Sequence, residues 1–233
     1  MTNKKLGANR ASTSSPVVAD HHEVVSLPGQ DGRVRRVITR SGRRHRIKFP
    51  SKKLGRMVHC ESLVEEAAAR HFEYDPGIDF YQEQPTVIHY YLDDGSVRKY
   101  CPDFMLRRRD GSQVFIEVKT QKSLMDAKLV EKLAAIALRM KELDIEFKIW
   151  TDEDIYKEPR DSNVKRIHEA LRTKGVNPRF TPNIDLEKGL TVTFSALREH
   201  LGSDSLIFMH YVAGHIDIDL NEPITDKTLI YIL

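Results

Sequence analysis

The chain has 233 residues, 40% of them hydrophobic and 30% charged, with a formal net charge of +3. This is the composition of a globular protein with enough core for one large domain or two small ones. No apolar run approaches a membrane span and no signal-peptide core opens the chain. The two cysteines, Cys60 and Cys101, lack ligand-like spacing, so neither a zinc site nor a disulfide framework is suggested, and a cytoplasmic protein is expected.

Residues 1–30, which include Ala11-Ser12-Thr13-Ser14-Ser15-Pro16, are polar and aperiodic and read as a flexible N-terminal arm. From Arg33 to Arg56 come eleven basic residues and no acidic one: Arg33, Arg35, Arg36, Arg40, Arg43, Arg44, Arg46, Lys48, Lys52, Lys53 and Arg56. Such a run is often only a solvated face. Next to a phosphodiester site it becomes a candidate contact to the DNA backbone, positioning DNA without reading its sequence.

A helix is expected over about Ser62 to Glu73, with Leu63, Val64, Ala67, Ala68 and Phe72 as its buried stripe. Glu65 falls at the stripe's edge and Glu66 nearly opposite. Ser62-x-x-Glu65 is also a capping-box pattern, so Glu65 reads equally as a helix cap and as a group looking into a site. Asp75-Pro76-Gly77 ends the helix. Strand composition follows over Phe80–Gln84, Thr86–Tyr91, Val97–Leu106 and Gln113–Thr120, then a helix over Leu124–Leu143 and a strand over Ile145–Trp150. Helix, antiparallel strands, helix and strand predict an α/β core over residues 31–155.

The stretch Tyr100–Thr120 carries the chemistry. The turn Arg109-Asp110-Gly111-Ser112 suits a hairpin that brings Asp103 towards Glu117. Alternation along the second strand puts Glu117 and Lys119 on one face, Ile116 and Val118 on the other. Pro-Asp, thirteen residues, then Glu-x-Lys is thus a candidate for metal-assisted phosphodiester hydrolysis. Two adjacent carboxylates repel, and a hard cation such as Mg²⁺, or Mn²⁺, relieves that repulsion, holds the phosphate and lowers the pKa of a bound water. A lysine beside that water orients or deprotonates it and offsets charge on the phosphate. An ordinary amphipathic strand shows the same alternation, but Val114, Phe115 and Ile116 argue for a strand covered on both faces, where charge needs a reason.

Residues 156–233 are expected to form a smaller domain: a helical stretch near Val164–Leu171, a connection over Gly175–Asn183, helices over Phe194–Leu201 and Ser203–Val212, and a strand over His215–Leu220. Two short helices followed by a strand pair resemble a winged helix. Asp185, Glu187, Asp217, Asp219 and Glu222 suit a protein partner better than a phosphate backbone. The ten histidines include no zinc-spaced pair, and neither a serine nucleophile elbow nor a glycine-rich phosphate loop is present.

With Glu65, Pro102-Asp103 and Glu117-Val118-Lys119 in place, the chain resembles a restriction-endonuclease-type fold, a mixed sheet flanked by helices. More closely it resembles TnsA, the endonuclease subunit of heteromeric cut-and-paste transposases. The resemblance rests on Glu61-Ser62-Leu63-Val64-Glu65, Tyr74-Asp75-Pro76, Tyr81-Gln82-Glu83-Gln84-Pro85, Tyr100-Cys101-Pro102-Asp103-Phe104, Glu117-Val118-Lys119 and Trp150-Thr151-Asp152, in the family's order over roughly residues 55–155. It implies that Glu65, Asp103 and Glu117 hold metal and that Lys119 is catalytic. Glu117 stands where some members carry glutamine. It further implies a bacterial cytoplasmic endonuclease cutting the 5′ ends of a transposon. A TnsB-like transposase would act on the 3′ ends, and a TnsC-like ATPase would engage the C-terminal domain. Two rival readings remain: a stand-alone repair or restriction nuclease, and a non-catalytic assembly subunit.

Overall fold

The computed structural model describes residues 47–91, 95–172 and 187–233. The arm, the basic residues Arg33 to Arg46, the turn at Asp93-Asp94, the whole 175–183 connection and Asp185 lie outside these. No helix among the described residues is long and apolar enough to cross a membrane.

The first element is an antiparallel hairpin of β1 (Ile47–Ser51) and β2 (Arg56–Cys60). Its turn is anchored by one buried carboxylate. Glu73 accepts from the Ser51 hydroxyl at 2.6 Å, from the amides of Lys52 and Lys53 at 2.8 Å each, and from the Tyr81 hydroxyl at 2.8 Å. Glu73 belongs to α1 (Leu63–Tyr74), so the hairpin is docked on this helix. A lone buried charge would be costly, and four donors satisfy it.

Helix α1 starts at the expected N-cap, Ser62. Its buried face differs from the wheel reading. Leu63 is 68% exposed, while Ala69, His71, Glu73 and Tyr74 are buried along with Ala67, Ala68 and Phe72. The reason is a second neighbour: α1 packs against the sheet on one side and against α4 (Arg160–Arg172) on the other, so its C-terminal half is enclosed all round.

The central sheet runs β3 (Ile78–Glu83), β6 (Phe104–Arg108), β7 (Gln113–Lys119), β8 (Glu146–Thr151). The first two pairings are antiparallel and β7–β8 is parallel, so the sheet is mixed. The β6–β7 hairpin turns where expected, with Gly111 at φ 85° and the Asp110 carboxylate accepting from the Ser112 amide. Phe72, Tyr81, Phe104, Ile116 and Val118 form the core between this sheet and α1.

Val97–Leu106, expected as one strand, is two strands in two sheets. Val97–Tyr100 is β5, paired with β4 (Ile88–Tyr91); β6 begins only at Phe104. Pro102 lacks the amide that a continuous ladder needs. The β4–β5 hairpin packs through Ile88, Tyr90 and Tyr100 onto Leu133, Ile136 and Met140 of α2 (Ala127–Glu142), which a short 3₁₀ turn precedes.

After the short α3 (Asp152–Ile155) and α4 come β9 (Thr191–Thr193), α5 (Phe194–Leu201), α6 (Asp204–Ala213), β10 (Ile216–Ile218) and β11 (Leu229–Ile232). The three strands pair antiparallel in the order β10-β11-β9. β9 is an addition to the expected strand pair. Phe194, Phe208, Ile216 and Ile230 fill this unit's core, and Tyr74 of α1 belongs to it too.

Candidate active site

Asp103 sits in the break between β5 and β6, at the end of β6 that adjoins the C-terminal end of β7. Two hydrogen bonds from main-chain amides hold the break in place. The Asp103 carbonyl accepts from the Gln84 amide at 2.9 Å, and its carboxylate accepts from the Val118 amide at 2.8 Å. Gln84 takes φ 45° to make the first of these and reaches Glu61 with its side chain at 3.0 Å. The proline that interrupts the strand therefore frees Asp103 to turn towards β7.

On β7 the alternation is as expected: Ile116 and Val118 are buried on the core side, and Glu117 and Lys119 share the other. Glu117 is itself only 6% exposed. Its Oε2 accepts from the Tyr100 hydroxyl at 2.5 Å, and its Oε1 lies 2.5 Å from the Lys119 ammonium. That ammonium also lies 3.6 Å from Asp103 Oδ2 and donates to the Val118 carbonyl at 3.0 Å. Three oxygens of three residues thus surround one positive charge.

Glu65 stands differently. Its amide donates to the Ser62 hydroxyl at 3.1 Å, while its carboxylate accepts from that hydroxyl at 3.0 Å and from the Glu61 amide at 2.7 Å. The cap is real, with the carboxylate reaching one residue ahead of the N-cap. Its charge is still felt at the site, since it raises the pKa of Asp103 and of Lys119. Among the described residues no three His, Cys, Asp or Glu side chains form a metal-holding group. The expected carboxylate trio Glu65, Asp103 and Glu117 is therefore not gathered as one set. Two carboxylates and a main-chain carbonyl meet, and Glu65 caps its helix beside them.

Burial pushes the Asp103 carboxyl well above the usual carboxylate range, and the neighbouring charges of Glu117 and Glu65 add to this, against the opposing pull of Lys119. Burial likewise raises Glu65. For Lys119 burial is the largest single influence and lowers its pKa, but Asp103, Glu117 and Glu65 together outweigh it and hold the amine above its ordinary value. Lys119 is accordingly an ammonium at neutral pH, suited to holding an anion or a water and not to taking a proton from one. The oxygens around it are hard donors around a cation, which is the chemistry a divalent metal needs.

Tyr100 and Gln84 are the site residues that motif reading passed over. Both lie inside the segments that carried the family resemblance, and neither bears a charge to single it out.

Of the basic run, four residues are described. Lys48 is exposed. Lys53 donates to the carbonyls of Phe72 at 2.7 Å, Asp75 at 2.9 Å and Ile78 at 2.6 Å, closing the C-terminal end of α1, and burial lowers its pKa to about 8. Arg56 makes a two-pronged pair with the buried Glu83 at 2.7 Å per bond, and Lys52 donates to the Leu171 carbonyl. Lys52, Lys53 and Arg56 are thus each engaged by the fold itself.

A mixed sheet flanked by helices, with two carboxylates and a lysine at adjoining strand ends, defines a nuclease domain that fits the restriction-endonuclease-like fold. Residues 75–152 match the family model described as TnsA-like endonuclease N terminal, and this part of the chain is a TnsA-like endonuclease domain. Asp103, Glu117 and Lys119 lie within the matched segment; Glu65 lies ahead of it. No curated protein matches the chain.

Proposed function

We propose that the protein is a metal-dependent DNA endonuclease that cleaves the 5′ ends of a transposon during cut-and-paste transposition, working with a TnsB-like transposase. The observation that carries this reading is the cation-centred cluster of Asp103, Glu117, Lys119 and the Val118 carbonyl, lying inside a TnsA-like endonuclease domain. In this reading Asp103 and Glu117 hold Mg²⁺ or Mn²⁺, with Glu65 at the edge of the set. The bound metal supplies Lewis-acid polarisation of the phosphate and a water of lowered pKa. Lys119 stabilises the negative charge that develops on the phosphate.

The order helix, strand, helix, helix, strand, strand from α4 to β11, with β9 paired beside β11, supports a winged-helix-like C-terminal unit. Its exposed Glu187, Asp217, Asp219 and Glu222 favour a protein partner, and a TnsC-like ATPase is the partner proposed. Basic residues of the 33–48 segment are proposed to contact DNA.

The test is strand-resolved cleavage of transposon-end DNA with Mg²⁺, using this chain with the proteins encoded beside it and an Asp103→Ala control. Metal-dependent cutting of the 5′ strand that the control lacks supports the proposal. Cutting without the neighbours favours a stand-alone nuclease. Assembly without any cutting favours a non-catalytic subunit.

A further inference from the structure

Exposed cations without a carboxylate partner occur at several places among the described residues, and one group of them lies beside the candidate site. Arg107 is paired with Asp79, Arg108 and Lys148 with Glu146, Arg166 and Arg198 with Asp204. Arg98, Lys122, Lys128 and Lys132 are exposed, and among the described residues none of them has a carboxylate within ion-pair distance. All four lie on the α2 side of the candidate site.

Their placement follows from the helix. Leu129, Leu133, Ile136 and Met140 face the core, so Lys128 and Lys132, four apart, stand one above the other along a single flank. That flank is the one facing the β4–β5 hairpin: Arg139 on it reaches the His89 carbonyl, and the Lys132 ammonium lies 5.9 Å from the centre of the Tyr100 ring. Arg98 is two residues before Tyr100 on β5, on the same face of the hairpin. Lys122 stands at the turn between β7 and α2. Tyr100 in turn donates to Glu117. Through Lys132 and Tyr100 this group of positive charges adjoins the Glu117 carboxylate.

We infer that the α2 flank and the β5 strand form a wall that grips the phosphate backbone of duplex DNA beside the scissile bond. Arg98, Lys128 and Lys132 are its principal contacts. The inference rests on the nuclease reading for the identity of the substrate. Physically, unpaired and mobile ammonium groups release counterions when phosphates replace their water, whereas a cation already held by a carboxylate gains less. The wall contacts backbone and carries no base-reading group, so it positions DNA and leaves end recognition to a partner.

The experiment is equilibrium binding of labelled duplex DNA to the full chain without divalent metal, across a range of NaCl, followed by cleavage with metal. Lys128→Gln/Lys132→Gln is expected to lower the slope of log affinity against log salt by about 2, since each lost phosphate contact removes about 0.9. Arg98→Gln is expected to lower it by about 1, and the ion-paired controls Arg107→Gln and Lys148→Gln to leave it unchanged. An unchanged slope in the double variant overturns the inference, as does an equal drop in the controls. If Lys132 served only to balance Glu117, its substitution would alter the metal dependence of cleavage with the slope intact, and the inference would fall. Should the wild-type chain bind DNA with the expected slopes yet never cut, even together with the proteins encoded beside it, the nuclease reading fails and the surface stands.

Discussion

The Tyr100 hydroxyl donates to Oε2 of Glu117 at 2.5 Å, from the opposite side of that carboxylate to the Lys119 ammonium. Glu117 is thereby held between a neutral donor and a charged one, and its orientation is set before any substrate arrives. Tyr100→Phe keeps the buried ring against Phe147 and removes only the hydroxyl. We expect a loss of about 10- to 100-fold in cleavage rate or metal affinity, the usual consequence of removing a group that orients a ligand. A metal titration of single-turnover cleavage checks this, and little change in thermal midpoint should accompany it.

Asp103 is held against its preference. Burial and two like charges favour its neutral form, so the ionised carboxylate that the site requires works against folding at neutral pH. The sign is that of a raised carboxyl: its contribution to stability is present below the unfolded pKa and is lost as pH rises through the folded one. Asp103→Asn should therefore raise the thermal midpoint at pH 7.5 while lowering cleavage by about 10²-fold or more. A calorimetric scan beside a cleavage assay tests both halves, and a lower midpoint in the variant would contradict the account.

Glu73 is expected to be among the most sensitive positions for stability. Glu73→Ala leaves the Ser51 and Tyr81 hydroxyls and two amides without their acceptor in a buried place. The expected loss is about 3 kcal/mol or more, read by denaturant unfolding. Protease sensitivity should appear first near Lys52-Lys53, where the β1–β2 turn comes away from α1.

Three histidines predict the acid limit. Burial pushes His71, His168 and His210 below the ordinary histidine value. Each binds a proton more weakly folded than unfolded, so stability should fall as pH drops below about 6.5 and be fully present above it. His71 packs within 3.5 Å of Asp161, edge-on to Trp150, with Arg70 and Arg160 opposing its protonation. His71→Gln should shallow the pH dependence of the midpoint between pH 7 and 5, which a series of thermal melts would measure.

Much of this arrangement is legible from short-range pattern. The Gly111 turn, the alternation from Ile116 to Lys119 and the Ser62 cap are set by neighbours in sequence, and each appears where the residues predict it. What escaped reading depends on distant parts of the chain. Leu63 looks like core on a wheel because nothing local reveals that α4 covers the opposite side of α1. Lys53 and Arg56 read only as positive charge, and nothing near them in sequence reveals that α1 presents carbonyls to the one and Glu83 a carboxylate to the other. Pro102 signalled a break in Val97–Leu106, but only the pairing of β5 with β4 shows that the two halves part company there. Tyr100 carries no charge, and its role exists only because the break folds it back over Glu117.

Tyr74 ends the helix that begins beside Glu65, yet its ring lies in the core of the C-terminal half, with its hydroxyl 2.9 Å from His168. Severing the chain after Ile155 would strip α4 from α1 and leave Tyr74, His71 and the Leu171-bound Lys52 facing water. The two halves are thus inseparable as material, whatever division of labour they have. A fragment trimmed to the nuclease half would carry a raw apolar scar, and its inactivity would report that wound and nothing about the part removed.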